Sequence, residues 1–292
     1  MQSENMSKRS QQIVHFVPKE AKSVSSILAE HFKLEKAQQE LLFQLGAMYV
    51  NKNRLISDTI LKPKEQLQVY LHPKRYLVGE IDWKKTIVHE QKEFVVINKP
   101  SGIPVHATED NLIENVLHQL KSMRVDSLWV THRLDASASG LMVLAKTQKF
   151  QAEFNDLVSQ RKVAKFYRAL TERKPPLGLI RHYMSPEEKL PKKLSQEMQK
   201  GWLECLLEVK SISPWKSSEN QEFWEVEIQL HTGRTHQIRA QISWSGAPIL
   251  GDKMYRGRNR AGFTKSKIAL KASKLEWKDS SGTHRFELPS GF

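Results

Sequence analysis

The residues most able to do chemistry in this chain stand together in the stretch THRLDASASGLMVLAKT, residues 131–147. His132, Arg133 and Asp135 are followed by small residues and then by an apolar run. A carboxylate in such a loop can serve as a nucleophile, and loops held by a rigid sheet are common catalytic positions. A lone loop aspartate is more often a turn or cap residue. Both interpretations of Asp135 stay open on this stretch alone.

Several common catalytic motifs are missing from the sequence. No two of the 13 glycines have the spacing that the dinucleotide-binding motif G-x-G-x-x-G requires. The stretch GAPILGDK has the glycine spacing of a P-loop, but Asp252 stands where that motif needs a lysine. HEQKE lacks the second histidine of a zinc-protease motif, and ASASG lacks the first glycine of a nucleophile elbow. The remaining chemistry uses Asp, Tyr, Arg and His, and we expect neither a metal nor an organic cofactor.

The charge balance indicates the class of partner. The chain has 292 residues, with 46 Lys and Arg against 32 Asp and Glu, for a net charge of +14. Such an excess favours a polyanion, most simply nucleic acid, although a basic protein with solvated lysines has the same composition.

Cysteine content and hydropathy indicate the compartment. A single cysteine, Cys205, excludes a disulfide framework within one chain and fits a reducing setting. The N-terminal residues lack the apolar region of a signal peptide, and no apolar run approaches the ~18 residues that span a bilayer. We therefore expect a cytoplasmic protein with no membrane partner, and a monomer.

The elements that must position these residues predict an α+β protein. Alternating apolar residues predict strands in LMVLAK, AKFYRAL, WLECLLEVKSIS and FWEVEIQLHTG, the last two paired. We expect a catalytic domain with a mixed, mainly antiparallel β-sheet and flanking helices, plus a small α+β N-terminal domain. The predicted boundaries are a disordered tail at 1–12, the small domain at 13–75, a linker at 76–83 and the catalytic domain at 84–292.

Helix boundaries follow from capping residues at the edges of amphipathic stretches. The predicted N-caps are Ser23 or Ser25, Asp110 in DNLIENVLHQLKSMR, Thr147 and Thr235, and the predicted helix ends are Gly46 and Gly246.

The N-terminal part resembles the S-four-type RNA-binding fold, which is named after a ribosomal protein. The residues that carry this resemblance are QLGAMYVNKNRLISDTILKPKEQLQVYL, and it covers about residues 23–72. It implies that Lys52 and Arg54, in the loop between AMYVN and QLQVYL, contact RNA. The arginine-rich start typical of that fold is missing, so a small packing domain with a solvated basic edge is the alternative.

Four blocks in the remaining chain occur in a fixed order: INKPSGIPVH (97–106), HRLDASASGLMVLAKT (132–147), KFYRAL (165–170) and LHTGRTHQIRAQISWSGAPILGD (230–252). Together they resemble the RluA-type family of RNA pseudouridine synthases, over about residues 84–288. The resemblance implies an isomerase that converts specific uridines of structured RNA to pseudouridine, with no metal or cofactor.

The resemblance also implies roles for single residues. Asp135 falls on the family's nucleophile, and Tyr167 and Arg239 fall on its other catalytic positions. A buried carboxylate needs a cation to stay ionised, and Arg239 can supply one, whereas Tyr167 offers a ring for stacking and a hydroxyl for proton transfer. RNA or substrate contacts are expected for Arg133, His132, Arg234, His236, Leu270 and Lys99.

Two positions depart from the family pattern, Gln241 and Lys271, where the family has histidines. Large-subunit ribosomal RNA is the first substrate that the resemblance suggests, and transfer RNA is the second. The rival interpretation is a catalytically silent RNA-binding or ribosome-assembly protein of the same fold.

Overall fold

The computed structural model describes residues 13–123, 127–216, 222–260 and 262–292. The predicted disordered tail at 1–12 lies outside the described residues. The chain divides into two compact units. The first contains residues up to 80 together with 106–123, and the second contains 81–105 together with 124–292.

The first unit combines a small antiparallel sheet with helices. Its sheet has the strand order β1-β6-β3-β4, and β2 pairs with β5. Its apolar core includes Leu28, Leu45 and Val69, all fully buried. The elements are β1 (Ile13–Phe16), β2 (Lys22–Ser23), α1 (Val24–Glu30), α2 (Lys36–Leu45), β3 (Met48–Val50), β4 (Asn53–Leu55), β5 (Ile60–Leu61), β6 (Leu67–Tyr70), a 3-10 turn at Val78–Glu80 and α3 (Val116–Ser122).

The second unit is built on one large sheet. Its strand order is β13-β12-β14-β15-β11-β16-β10-β8-β7, with β17 beside β16 and β9 beside β10. The strands and helices are β7 (Ile87–Glu90), β8 (Phe94–Lys99), β9 (Trp129–Val130), β10 (Ser139–Ala145), α4 (Gln148–Ser159), β11 (Ala164–Thr171), β12 (Gly178–Met184), β13 (Leu194–Ser195), β14 (Leu203–Lys216), β15 (Glu222–Leu230), α5 (Gln237–Trp244), β16 (Leu270–Asp279) and β17 (Gly282–Glu287), with 3-10 turns at Lys84–Thr86 and Lys253–Tyr255.

Pairing in this sheet is almost entirely antiparallel. Among the described residues only β10 and β16 run parallel, with Ser139 opposite Lys271. The predicted α+β class with a mainly antiparallel sheet is confirmed, as is the predicted pairing of β14 with β15. Within the described part of the chain, no helix has the length and apolarity needed to cross a membrane.

Several predicted helix boundaries match the structure. The hydroxyl of Ser23 accepts a hydrogen bond from the Ser26 N–H at the start of α1, and the hydroxyl of Thr147 caps α4 through the Phe150 N–H. Helix α2 ends at Gly46, whose left-handed backbone (φ +58°) suits a residue without a Cβ atom.

The helix predicted to start at Asp110 is wrong in its boundary. Helix α3 begins at Val116 and is capped by Asn115, and the predicted end at residue 124 lies outside the described residues. The Asp110 carboxylate instead accepts from the Lys74 N–H at 2.6 Å, and the Glu114 carboxylate accepts from the Tyr76 N–H at 2.8 Å. These side chains bind the backbone of residues 74 and 76, which holds residues 108–115 in a turn rather than a helix.

Candidate active site

Asp135 lies in the loop that leads into β10. The loop turns back on itself at this residue, because the Ala138 N–H donates to the Asp135 carbonyl at 3.1 Å. The next two carbonyls are held from the loop after β8. The Gly102 N–H donates to the Ala136 oxygen at 2.7 Å, and the Ser101 hydroxyl donates to the Ser137 oxygen at 2.5 Å. Asp135 therefore stands on a turn whose backbone is fixed by hydrogen bonds.

Lys99 explains how the two loops stay together. Its side chain is fully buried, and its ammonium donates to the carbonyls of Pro100, Ile103 and Ala136 at 2.7, 2.9 and 3.1 Å. An ammonium has three N–H donors, and all of them are engaged here. Burial lowers the pKa of Lys99 to about 7, and the negative charge of Asp135 acts in the opposite direction. The RNA contact expected for Lys99 is not compatible with this burial; the residue holds the Asp135 turn instead.

Arg239 extends from α5 to Asp135. Its Nη1 donates to Asp135 Oδ2 at 3.0 Å, while Nε and Nη2 donate to the two oxygens of Asp252 at 2.6 and 2.9 Å. Burial lowers the pKa of Arg239, but the hydrogen bonds and charge of Asp252, with those of Asp135, outweigh this effect and leave the pKa raised. The guanidinium thus stays charged and is shared by two carboxylates.

Exposure distinguishes the two carboxylates. The side chain of Asp252 is 1% exposed and that of Arg239 is 7% exposed, whereas that of Asp135 is 24% exposed. Asp252 is therefore available only to Arg239, and Asp135 is the carboxylate that a ligand can reach. Sequence reasoning missed Asp252, which entered it only as a mismatch to the P-loop. The available signal was Arg239 itself. A guanidinium that is buried needs a carboxylate partner, and Asp252 lies 13 positions further along the chain.

Tyr167 is buried on β11, opposite Ala272 of β16. Burial raises the pKa of its hydroxyl, and the charge of Asp135 raises it further. The phenol therefore stays protonated at neutral pH and remains a potential hydrogen-bond donor. Leu270 lies on the same face of β16 and in the same apolar cluster, where its predicted role as a wall beside a base stays a prediction.

His236 also lies near Asp135, with 3.8 Å between its Nε2 and Oδ2. It occupies the N-cap of α5 with a left-handed backbone (φ +58°), so the predicted cap at Thr235 is wrong. The reason is Gln237, whose side-chain oxygen accepts from the Thr232 hydroxyl and the Arg234 N–H and so closes this turn.

The ring of His236 is held by Tyr255. The Lys192 N–H donates to the Tyr255 hydroxyl oxygen at 2.9 Å, and that hydroxyl lies 3.2 Å from His236 Nδ1. A hydroxyl that accepts from Lys192 can donate to Nδ1, which places the proton of a neutral His236 on Nε2, facing Asp135. Burial is the main cause that lowers the pKa of His236, so this neutral form prevails at neutral pH.

The other predicted contact residues are distributed around the second unit. Arg133 and Arg234 are exposed. His132 points inward instead, where its Nε2 accepts from the Val143 N–H at 3.1 Å and its ring stacks on Phe154. Burial lowers the pKa of His132 to about 3, so the ring is neutral and positions the loop. An RNA contact by His132 does not fit this arrangement.

In the first unit, Lys52 is exposed, whereas Arg54 is engaged within the protein. Its Nη1 and Nη2 donate to the carbonyls of Gly46 and Thr108 at 2.6 and 2.7 Å. The structure thus favours Lys52 over Arg54 as an RNA contact.

The two departures from the family pattern both donate hydrogen bonds to backbone carbonyls. Gln241 is fully buried, and its amide donates to the carbonyls of Ile180 and Cys205. Lys271 is on the face of β16 opposite to Leu270, where it donates to the Gly291 carbonyl at 2.9 Å. Among the described residues no group of three or more His, Cys, Asp or Glu side chains is arranged to hold a metal ion.

Comparison with known proteins places this geometry in a family. A family model described as RNA pseudouridylate synthase matches residues 93–244. RNA pseudouridine synthase 6, chloroplastic, of Arabidopsis thaliana is 36% identical over 209 residues, which are 65% of this chain and 44% of the relative. An uncharacterized RNA pseudouridine synthase of Haemophilus influenzae is 35% identical over 65% of this chain and 81% of its own length. The chain therefore spans less than half of the plant relative's length and most of the bacterial one's.

A solved structure and a further relative agree with these matches. The human RNA pseudouridylate synthase domain containing 4 is similar with a TM-score of 0.57 and 25% identity, covering 71% of this chain and 89% of that one. Ribosomal large subunit pseudouridine synthase D of Vibrio vulnificus is 30% identical over 63% of this chain and 58% of its own length. The chain belongs to the RNA pseudouridylate synthase family, in its RluA-type group.

Proposed function

We propose that this chain is an RNA pseudouridine synthase. The reaction breaks the bond between N1 of uracil and C1′ of the ribose and forms a bond between C5 and C1′. The hydrogen on C5 is released as a proton, and N1 gains one, so the product is an isomer of the substrate. No group donor or redox partner enters this balance.

The observation that carries the proposal is the Asp135–Arg239–Asp252 arrangement. Asp135 is the reachable carboxylate, and Arg239 keeps it paired in a fixed direction. In the proposed reaction Asp135 is the nucleophile, or an equivalent anionic partner of the sugar. Tyr167 offers a neutral phenol that can stack on the base and move a proton.

The proposed substrate is large-subunit ribosomal RNA. This choice rests on the relatives named ribosomal large subunit pseudouridine synthases, together with the net charge of +14. A target uridine has to leave its stack at a cost of a few kcal/mol, so contacts to the phosphate backbone must offset that cost. The predicted cytoplasmic location and monomeric state remain predictions.

The direct test is tritium release from RNA labelled at C5 of uridine. Asp135→Asn keeps the shape of the side chain but removes the negative charge, and we expect turnover to fall by at least ~10³-fold. RNA affinity should stay within a few-fold. The matched control is Asp156→Asn, which alters an exposed aspartate of α4 and should keep full turnover.

Three outcomes separate the candidate functions. Turnover retained by Asp135→Asn contradicts the assignment of this residue. Wild-type protein that binds RNA without releasing tritium supports the silent RNA-binding alternative. Pseudouridine mapping of ribosomal and transfer RNA, in cells with and without the gene, identifies the substrate class.

A further inference from the structure

A strongly basic loop connects α5 to β16. Its residues 253–260 and 262–267, called the basic loop here, carry no Asp or Glu, and the nearest acid in sequence is Asp252, whose carboxylate is bound to Arg239. Every cation of the loop is exposed: Lys253, Arg256, Arg258, Arg260, Lys265 and Lys267.

These cations have no ionic partner among the described residues, which distinguishes them from most cations on the sheet. Arg168 pairs with Glu225, Arg181 with Glu204, and Arg285 with Glu276. Like charges that are close in sequence repel one another and lower stability slightly. Such a cluster is most simply explained by a polyanion that neutralises it.

The basic loop is held in a defined conformation. The Gly251 N–H donates to the Arg258 carbonyl at 2.7 Å, and the Gly257 N–H donates to the Asp252 carbonyl at 2.8 Å. A Cβ atom on Gly257 would lie 1.9 Å from the Ile249 oxygen, so the chain can pass here only with glycine. The loop therefore presents its cations on a fixed backbone, which reduces the entropy lost on binding.

Both ends of the basic loop are attached to the candidate active site. At its start, Asp252 binds Arg239, whose guanidinium also lies over the ring of Tyr255 at 5.2 Å. At its end, the Ile268 N–H donates to the carbonyl of Ser137, in the turn that carries Asp135. An RNA strand that enters the candidate active site would therefore pass close to the basic loop.

We propose that the basic loop binds the phosphate backbone of the same RNA strand whose uridine meets Asp135. Contacts of this kind set the register of a nucleic acid without reading its sequence. The inference rests on the proposed function for its substrate, but it is tested by binding rather than by turnover.

The experiment compares two variants of the full chain that each remove three positive charges. The loop variant is Arg258→Gln/Arg260→Gln/Lys265→Gln, at three exposed positions of the basic loop. The control variant is Lys92→Gln/Lys200→Gln/Lys278→Gln, at exposed positions elsewhere in the second unit. The probe is a fluorescently labelled transcript of large-subunit ribosomal RNA, titrated at several salt concentrations.

We expect the loop variant to bind roughly tenfold more weakly than the control variant near 0.1 M salt. The slope of log affinity against log salt should fall by about 2 to 3, since each lost phosphate contact removes about 0.7 to 0.9. Thermal melting of both variants should match the wild type, because all six side chains are exposed.

Equal affinities and slopes for the two variants would overturn the inference. An equal loss of binding to polyglutamate would also overturn it, since the loop would then be a general polyanion surface. Wild-type protein that binds the transcript but forms no pseudouridine would refute the proposed function alone.

Discussion

At the scale of single residues, the candidate site is defined by how one cation is divided between two carboxylates. Asp252 occupies two N–H groups of Arg239, and only Nη1 is directed at Asp135. Two negative charges therefore face one positive charge, and the excess negative charge lies on the exposed carboxylate. Asp135 therefore holds Arg239 by one hydrogen bond, whereas Asp252 holds it by two.

Asp252→Asn tests this division of charge. The Arg239 guanidinium would lose its buried anionic partner and keep Asp135 alone. Lys99 and His236 also face Asp135, but neither is changed. We expect kcat to fall by about tenfold or more, and the free energy of unfolding to fall by about 3 kcal/mol, because a buried pair is broken.

Measuring kcat and stability side by side separates an effect on the site from an effect on the fold. Asp156→Asn serves as the matched control, and both its kcat and its free energy of unfolding should match those of the wild type. If Asp252→Asn loses stability while kcat stays within about twofold of the wild type, Asp252 is only a structural partner of Arg239.

At the scale of elements, Lys99 joins the loop after β8 to the loop before β10. Its fully buried ammonium donates to carbonyls of both loops. The rigidity of the Asp135 turn therefore depends on a group whose protonated form is disfavoured by burial.

Lys99→Met gives a pH-dependent prediction. The pKa of Lys99 is about 7 in the folded chain and 10.5 ordinarily. Between these values the unfolded chain binds more protons, so the free energy of unfolding gained from this residue rises with pH, by at most about 1.4 kcal/mol per pH unit. Lys99→Met should remove that rise in urea unfolding from pH 7 to 10, and lower kcat by about tenfold.

The control for this measurement is Lys278→Met, at an exposed lysine of β16. It should keep the wild-type dependence of stability on pH. If the Lys99→Met and Lys278→Met curves run parallel, the folded state does not disfavour the charged form of Lys99.

How far the sequence predicts these elements depends on which interactions decide them. The strands β11 and β15 and the first half of β14 follow from apolar alternation, because buried residues recur there at about every second position. The start of α3 and Asp252 did not follow from local pattern. The side chains of Asp110 and Glu114 bind backbone groups about 35 to 40 positions away, and Asp252 acquires its role only when α5 brings Arg239 beside it.

At the scale of the whole molecule, the division of the chain determines how its first unit can be tested. Residues 106–123 belong to that unit, although they follow the start of the predicted catalytic domain at 84. Glu114 of this segment binds Arg75 at 2.6 Å, and the Leu112 N–H donates to the Leu45 carbonyl at 2.7 Å. A deletion of residues 1–75 would therefore remove the partners of residues 106–123 as well as the predicted RNA contact.

Surface variants are the cleaner test of the first unit. We expect Lys52→Gln/Lys62→Gln/Lys64→Gln to weaken binding to the ribosomal RNA transcript and to lower its salt slope by about 2, since these exposed lysines lie in the loop predicted to contact RNA. The control is Lys19→Gln/Lys33→Gln/Lys121→Gln, which removes the same charge at other exposed positions of this unit. Equal slopes for the two variants would mean that net charge, rather than this loop, attracts the RNA. The first unit would then be a packing domain with a solvated basic edge, the alternative that its missing arginine-rich start left open.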